Sequence, residues 1–162
     1  MENKIKEVEE LFKKLNIPYD IVYHKPLFGA DDNDEDIDFK GMVCKNLFLT
    51  TKKKDIFLLY SLPINKRADL KSIASILNTK RLEFGDEDLL LSKLNIKRGS
   101  VSVLNIILKK DTDVLFILDK DMFKYSRVSF HPNDNHASLS FPPNDILKIL
   151  DFFNAKYKIV EI

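Results

Sequence analysis

Short apolar runs, broken at irregular intervals by helical segments, constrain the fold of this 162-residue chain more than any other feature. Runs rich in Val, Ile, Leu and Phe predict β-strands at residues 19–23, 47–51, 56–62, 101–108, 114–118, 128–130 and 138–141. Apolar residues at helical spacing predict helices at residues 2–15, 69–77, 86–94 and 145–153. The two kinds of segment do not alternate in a regular βαβ period. We therefore predict a single α+β domain spanning residues 1–162, with a mixed, curved sheet flanked by helices.

The composition indicates an ordinary globular protein. Hydrophobic residues make up 44% of the chain, which is enough to bury one substantial core. No window approaches the roughly 20 uninterrupted apolar residues that a bilayer crossing needs, and the N-terminus is charged rather than signal-like. The single cysteine, Cys44, cannot form an internal disulfide, which agrees with a reducing compartment. We expect a soluble, cytoplasmic protein.

Charge is distributed unevenly along the chain, although its net value is only +1. Residues 40–110 carry 15 Lys or Arg against 6 Asp or Glu, whereas the segments on either side are acidic. Lys52, Lys53 and Lys54 lie between two predicted strands, so a hairpin with a basic tip is a candidate phosphate contact. The alternative is that these lysines only solvate loops and helix faces. The acidic stretch at residues 30–38 predicts a surface loop to which no role is assigned.

Two segments could hold an anionic or acyl ligand. Lys45 and Asn46 stand where an irregular stretch enters an apolar strand, and a lysine there offers a compact charge to phosphate or carboxylate. An ordinary surface lysine would show the same spacing. Gly99 allows a positive φ, and the serines that follow it place hydroxyls and N–H groups on a tight loop, which is equally typical of a plain turn.

His131 is the candidate for proton exchange or for positioning a water. It follows a predicted strand and precedes Pro132, which restrains its backbone to an extended form. A structural histidine is the alternative. His131, Asp134 and His136 match no familiar zinc spacing, so we predict no metal and no cofactor. Cys44 as a nucleophile is less favoured than Cys44 as a buried, inert thiol.

Taken in order, the segments CKNLFL, RGSVSV and VSFHPNDNHASLSF, followed by NDILKIL, resemble the YbaK/prolyl-tRNA editing family, and in particular its freestanding alanyl-tRNA(Pro) deacylase branch. The resemblance covers roughly residues 18–152. It implies a compact α+β domain without a metal, which hydrolyses the ester between a wrong amino acid and tRNA(Pro). tRNA is the implied partner, and recruitment by prolyl-tRNA synthetase stays open.

The resemblance also implies roles for particular residues. Lys45 would hold the negatively charged 3′ end of the tRNA, and Asn46 would fix the aminoacyl ester or the water. His131 would orient the terminal adenosine or the substrate, and Asn135 would support the site from the same loop. The loop that shapes the amino-acid pocket and offers backbone donors to the carbonyl oxygen would consist of Gly99, Ser100, Val101 and Ser102.

Four positions depart from the family pattern. Proline is usual where Val103 stands and frequent where Arg98 stands, glycine is common at Asn105, and threonine at His136. These departures flank the pocket, so the reaction class carries over better than the amino acid removed. We expect alanine, with cysteine, serine or another small residue as alternatives. A non-catalytic tRNA- or synthetase-binding module and a small-molecule hydrolase or sensor are the rival functions, and the oligomeric state is not predicted.

Overall fold

The computed structural model describes residues 2–26 and 37–162. Most of the predicted acidic loop at residues 30–38 lies outside the described residues.

The described residues form four α-helices, eight strands and two 3₁₀ helices. In chain order these are α1 (Glu2–Lys14), β1 (Asp20–Tyr23), β2 (Met42–Thr50), β3 (Phe57–Pro63), α2 (Leu70–Ile76), β4 (Glu83–Phe84), α3 (Glu87–Leu94), the first 3₁₀ helix (Val103–Ile107), β5 (Leu115–Asp119), the second 3₁₀ helix (Lys120–Lys124), β6 (Val128–Phe130), β7 (Ala137–Phe141), α4 (Asp145–Phe152) and β8 (Tyr157–Val160).

Aspartates fix the start of two helices. The Asp69 carboxylate accepts a hydrogen bond from the Ser72 N–H at 3.0 Å, and the Asp86 carboxylate accepts one from the Leu89 N–H at 2.8 Å. Each bond satisfies an N–H that has no partner within the first turn of its helix. The predicted cap at Asp69 is confirmed.

The strands form one mixed sheet in the order β1-β7-β6-β2-β3-β5-β8, with β4 also paired to β2. β2 and β3 form the predicted antiparallel hairpin, registered from Cys44 opposite Pro63 to Thr50 opposite Phe57. The β2–β6, β3–β5 and β5–β8 pairs are parallel. The predicted α+β fold with a mixed sheet flanked by helices is confirmed.

Two apolar clusters cover the two faces of the sheet. The larger cluster packs α1, α3, α4 and the first 3₁₀ helix against one face and includes Phe12 and Phe141. The smaller cluster packs α2 against the other face around Tyr60 and Leu62. Within the described ranges, no helix combines the length and the hydropathy needed to cross a bilayer.

The strand predicted at residues 101–108 is wrong, because this segment contains the first 3₁₀ helix. All five residues of that helix are buried, so its apolar run carries no period that separates helix from strand. Local hydrogen bonds decide the conformation. The Ser102 hydroxyl accepts from the Leu104 N–H, and the Asn105 side chain accepts from the Ser102 N–H. Such side-chain bonds offer the backbone an alternative to a sheet ladder.

Candidate functional site

In the described part of the chain, one edge of β2 is left unpaired where two of the candidate residues, Lys45 and Asn46, stand. β6 pairs with this edge at Met42 and Val43, and β4 pairs with it again only at Leu49 and Thr50. Strand β3 occupies the opposite edge of β2, so β6 and β4 both pair with the same edge of β2. The segment between them, which contains Lys45 and Asn46, has no strand partner on this edge among the described residues. We call it the gap in the ladder. Irregular loops can approach β2 there.

Lys45 and Asn46 project to opposite faces of β2, because successive strand residues alternate. Asn46 lies on the side of the larger cluster, and its amide oxygen accepts a hydrogen bond from the Ser61 hydroxyl at 2.7 Å. Lys45 is half-buried and stands opposite Leu62 in the β2–β3 register. Among the residues that the structure describes, no carboxylate forms an ion pair with it. The structure thus places both residues at the gap in the ladder but not on one face.

His131 and Lys45 each lie just beyond the last residue pair of the β2–β6 ladder. The parallel pair aligns Val43 with Ser129, and each candidate residue stands two positions further along its chain. The His131 Nδ1 is 2.8 Å from the carbonyl oxygen of Ala137. Because a carbonyl only accepts, Nδ1 carries the proton and Nε2 presents a lone pair. The imidazole is therefore oriented to accept a hydrogen bond from a water or hydroxyl.

The surroundings of His131 keep it neutral. Burial lowers the pKa of its imidazole below the usual 6.5, and the neighbouring His24 lowers it further, against the opposing effect of the Ala137 carbonyl. The two imidazole rings lie 5.9 Å apart, and the His24 Nε2 is 2.8 Å from the Ser138 hydroxyl. At neutral pH, His131 can accept a proton or a hydrogen bond.

The glycine loop is tied to the histidine loop by direct hydrogen bonds. Gly99 has a φ of 99°, a value that its residue type allows, and this lets the chain turn into the half-buried Ser100 and Val101. Ser102 is fully buried, and its hydroxyl donates to the His131 carbonyl at 3.2 Å. Both the hydroxyl and the N–H of Ser102 are engaged within the protein, so Ser102 holds the loop in place.

The remaining residues of the histidine loop have internal partners. Burial alone would raise the pKa of Asp134, but hydrogen bonds from the N–H and the imidazole of His136 hold it below its usual value. Asn135 is half-buried in the turn between them. In the part of the chain that the structure describes, no three His, Cys, Asp or Glu side chains cluster as metal ligands.

Cys44 is buried, as predicted. Burial raises the pKa of its thiol far above the usual value, so the thiol stays protonated and does not supply a thiolate nucleophile.

Three residues near these loops were not identified as site residues from the sequence. His24 follows a strand just as His131 does, and that position was the available signal. Asn105 and Asn133 are almost fully buried, but polar residues in loops are common and nothing in the sequence marks these two as internal.

The described residues thus offer a lysine on β2, a neutral imidazole after β6, and a backbone loop that is hydrogen-bonded to the histidine loop. Such a set suits an anionic ligand that brings a hydroxyl or a water close to the imidazole.

Comparison with known proteins agrees with this chemistry. Residues 38–149 match the family described as the aminoacyl-tRNA editing domain. The prolyl-tRNA editing protein ProX of Acetoanaerobium sticklandii is 28% identical over 150 residues, which cover 92% of each chain. The prolyl-tRNA synthetase associated domain-containing protein 1 of Danio rerio is 30% identical over 149 residues, covering 90% of this chain and 80% of that protein.

The fold has a solved counterpart. A crystal structure of a proposed trans-editing enzyme for prolyl-tRNA synthetase matches with a TM-score of 0.69 at 15% identity. The match covers 96% of this chain and 95% of the other.

The lowered pKa of His131 predicts acid sensitivity of folding. The unfolded chain binds a proton near pH 6.5, while the folded protein resists it, so the free energy of unfolding falls as the pH drops below about 6.5. A single proton contributes a slope of at most about 1.4 kcal/mol per pH unit. Above that pH, the contribution is constant. His131→Asn should reduce the slope between pH 5 and 8 in urea unfolding experiments.

Thr50→Ala is the control, because it removes a buried hydroxyl that does not titrate, leaves the His131 imidazole in place and should keep the slope. An unchanged slope in His131→Asn would show that burial of this imidazole does not govern acid sensitivity.

Proposed function

Since the chain belongs to the aminoacyl-tRNA editing domain family and is an aminoacyl-tRNA deacylase, we propose that it acts in trans on tRNA(Pro) that carries a wrong amino acid. Alanine is the proposed amino acid that it removes most readily. The observation that carries the proposal is the match over residues 38–149, together with a relative named for prolyl-tRNA editing. We propose that residues 1–162 act as one editing domain, and that it works in the cytoplasm, where charged tRNA is used.

Lys45 is proposed to bind the 3′ end of the tRNA. Its side chain is half-buried at the gap in the ladder of β2 and forms no ion pair with a carboxylate among the described residues, so it can pair with a phosphate. Asn46, held by Ser61, is proposed to fix the ester or the attacking water from the other side of the strand. Together they supply one charged and one neutral group at the gap in the ladder, on opposite faces of β2.

His131 is proposed to orient the reacting groups. Its Nε2 lone pair accepts a hydrogen bond from the attacking water or from the neighbouring ribose hydroxyl, which assists the water. The water oxygen adds to the ester carbonyl carbon, the bond between that carbon and the ribose oxygen breaks, and the ribose oxygen takes up a proton. The products are a free amino acid and uncharged tRNA.

The loop from Gly99 to Ser102 is proposed to form the wall of the amino-acid pocket, with Asn135 supporting the site from the turn beyond His131. A wall that is fixed to the histidine loop rejects larger side chains by steric exclusion. Prolyl-tRNA would thus be spared, while alanine fits. Cysteinyl- and seryl-tRNA(Pro) are the alternative substrates among small residues.

The tip of the β2–β3 hairpin is proposed to contact phosphates further along the tRNA. The tip carries three exposed lysines, Lys52, Lys53 and Lys54. Among the residues that the structure describes, no carboxylate forms an ion pair with them. At about 3.4 Å per residue, the tip lies roughly 20 Å from Lys45 along β2. The acceptor arm of a tRNA continues away from the terminal adenosine as a run of phosphates. Strand β2 can therefore link the reaction site to a second electrostatic contact at its other end. Recruitment by prolyl-tRNA synthetase would add to this contact.

Deacylation assays test the proposed reaction. Purified protein should release alanine from alanyl-tRNA(Pro) faster than it releases proline from prolyl-tRNA(Pro). Lys45→Ala should lower kcat/KM by about a hundredfold, because it removes a charged contact to the bound end. His131→Ala should lower it more than His136→Ala does, since His136 is committed to Asp134.

Lys156→Ala, at an exposed lysine on another segment, is the matched control and should retain activity. No release from any aminoacyl-tRNA(Pro) would refute the proposed function. Full activity in Lys45→Ala would refute the role of Lys45 alone.

Charge reversal at the hairpin tip tests the second electrostatic contact. Replacing Lys52, Lys53 and Lys54 together by Glu should raise KM for alanyl-tRNA(Pro) about tenfold and leave kcat nearly unchanged. In a plot of log affinity against log salt concentration, the magnitude of the slope should fall by about one for each phosphate that the tip no longer neutralises.

The matched control reverses three exposed lysines elsewhere, at positions 124, 156 and 158. If both triple variants weaken binding equally, the effect is one of net charge and the tip is not a specific phosphate-binding element.

A further inference from the structure

Two buried asparagines join the glycine loop to the histidine loop. Asn105 lies in the first 3₁₀ helix and Asn133 lies two residues after His131. The Asn105 Nδ2 donates to the Asn133 Oδ1 at 2.8 Å, and the two residues are only 0% and 2% exposed. A hydrogen bond between side chains this deeply buried is shielded from competing water.

Asn105 uses its whole amide group for this connection. Its Oδ1 accepts from the Ser102 N–H at 2.9 Å, and its Nδ2 also donates to the Ser100 carbonyl at 3.1 Å. The side chain therefore holds the glycine loop at two backbone points while it bonds to Asn133. Removal of this amide would leave several buried polar groups without partners.

Asn133 holds the histidine loop in a matching way. Its φ of 63° lies in the left-handed region, which asparagine tolerates better than most residues. Its Nδ2 donates to the Leu104 carbonyl at 3.1 Å, and its N–H donates to the His131 carbonyl at 2.9 Å. That carbonyl also accepts from the Ser102 hydroxyl. The backbone of His131 is thus fixed relative to the glycine loop.

We propose that Asn105 and Asn133 act as positioning residues that set the width of the amino-acid pocket and so determine which aminoacyl group is hydrolysed. The inference rests on the proposed deacylase function. Neither side chain need touch the substrate, because each acts through the backbone of a loop that lines the pocket. Since neither amide titrates, the spacing between the loops holds across the pH range in which His131 changes charge.

Rigidity of this kind matters most for selectivity. One methylene in a pocket changes kcat/KM by roughly 10- to 200-fold when the walls cannot yield. If the amide pair is removed, the glycine loop can move away from His131 and admit a larger side chain. Selectivity should then fall even where hydrolysis of the small substrate continues.

The test compares two aminoacyl esters on the same tRNA. The ratio of kcat/KM for alanyl-tRNA(Pro) to that for prolyl-tRNA(Pro) is measured for the wild-type protein, Asn105→Ala, Asn133→Gly and the double variant. Asn133→Gly removes the amide but keeps a residue that accepts a positive φ, so it serves if Asn105→Ala does not fold. Each single variant should lower the ratio by about tenfold or more. The double variant should lower it little further, because both changes break the same hydrogen bond.

Thr50→Ala is the matched control. Thr50 is 1% exposed and its hydroxyl donates to the Ile56 carbonyl, but it lies at the far end of β2. It should lower the midpoint of thermal unfolding without changing the ratio. A purely structural role for the asparagines would give the same pattern as Thr50→Ala, and that result would overturn the proposal.

The two possible failures are distinguishable. A wild-type protein that hydrolyses neither ester contradicts the proposed function, and this inference falls with it. An active wild-type protein whose folded Asn105→Ala and Asn133→Gly variants keep the wild-type ratio contradicts only the positioning role.

Discussion

Strand β2 is the constraint on which the rest of the structure depends. It is paired along one edge with β3, and along the other edge first with β6 and then with β4. Between β6 and β4, part of this edge of β2 has no described strand partner, which leaves a gap in the ladder. The loop that follows β6 can enter that gap. Lys45 on β2 and His131 after β6 each stand two residues beyond the last pair of the β2–β6 ladder.

The difference in charge between Lys45 and His131 determines which ligand suits the site. The lysine forms no ion pair with a carboxylate among the described residues, whereas the imidazole is held neutral by burial and by a second histidine. A lysine on β2 and a neutral imidazole after the adjacent strand β6 suit the end of a polyanion and the hydrolysis of an ester attached to it. Buried asparagines and Ser102 supply the rigid link between the loops, so the charged groups need not stabilise the scaffold.

Much of the fold could be predicted from the sequence, because caps and apolar spacing are local signals. The helix after Asp69 and the β2–β3 hairpin are examples. Residues 101–108 carry the apolar composition of a strand, yet side-chain hydrogen bonds from Ser102 and Asn105 fold this fully buried run into a 3₁₀ helix, and composition alone does not reveal those bonds.

The site was less accessible to sequence reasoning, because it depends on contacts between distant segments. The residue type of Gly99 shows only that a positive φ is allowed, and the structure adopts one. By contrast, the bond between Asn105 and Asn133 and the approach of His24 to His131 arise only once the sheet order is set. The pairing of β2 with β6 could not be predicted either, since parallel neighbours are far apart in the chain.

A structure of the protein with a non-hydrolysable 3′-alanylamido analogue of the terminal adenosine tests the central claim most directly. The account predicts that the alanyl group lies between the Gly99–Ser102 loop and His131, with the His131 Nε2 about 2.6–3.2 Å from a ribose hydroxyl or a bound water. Binding of the analogue instead in the surface cleft between α3 and residues 107–111 would contradict it.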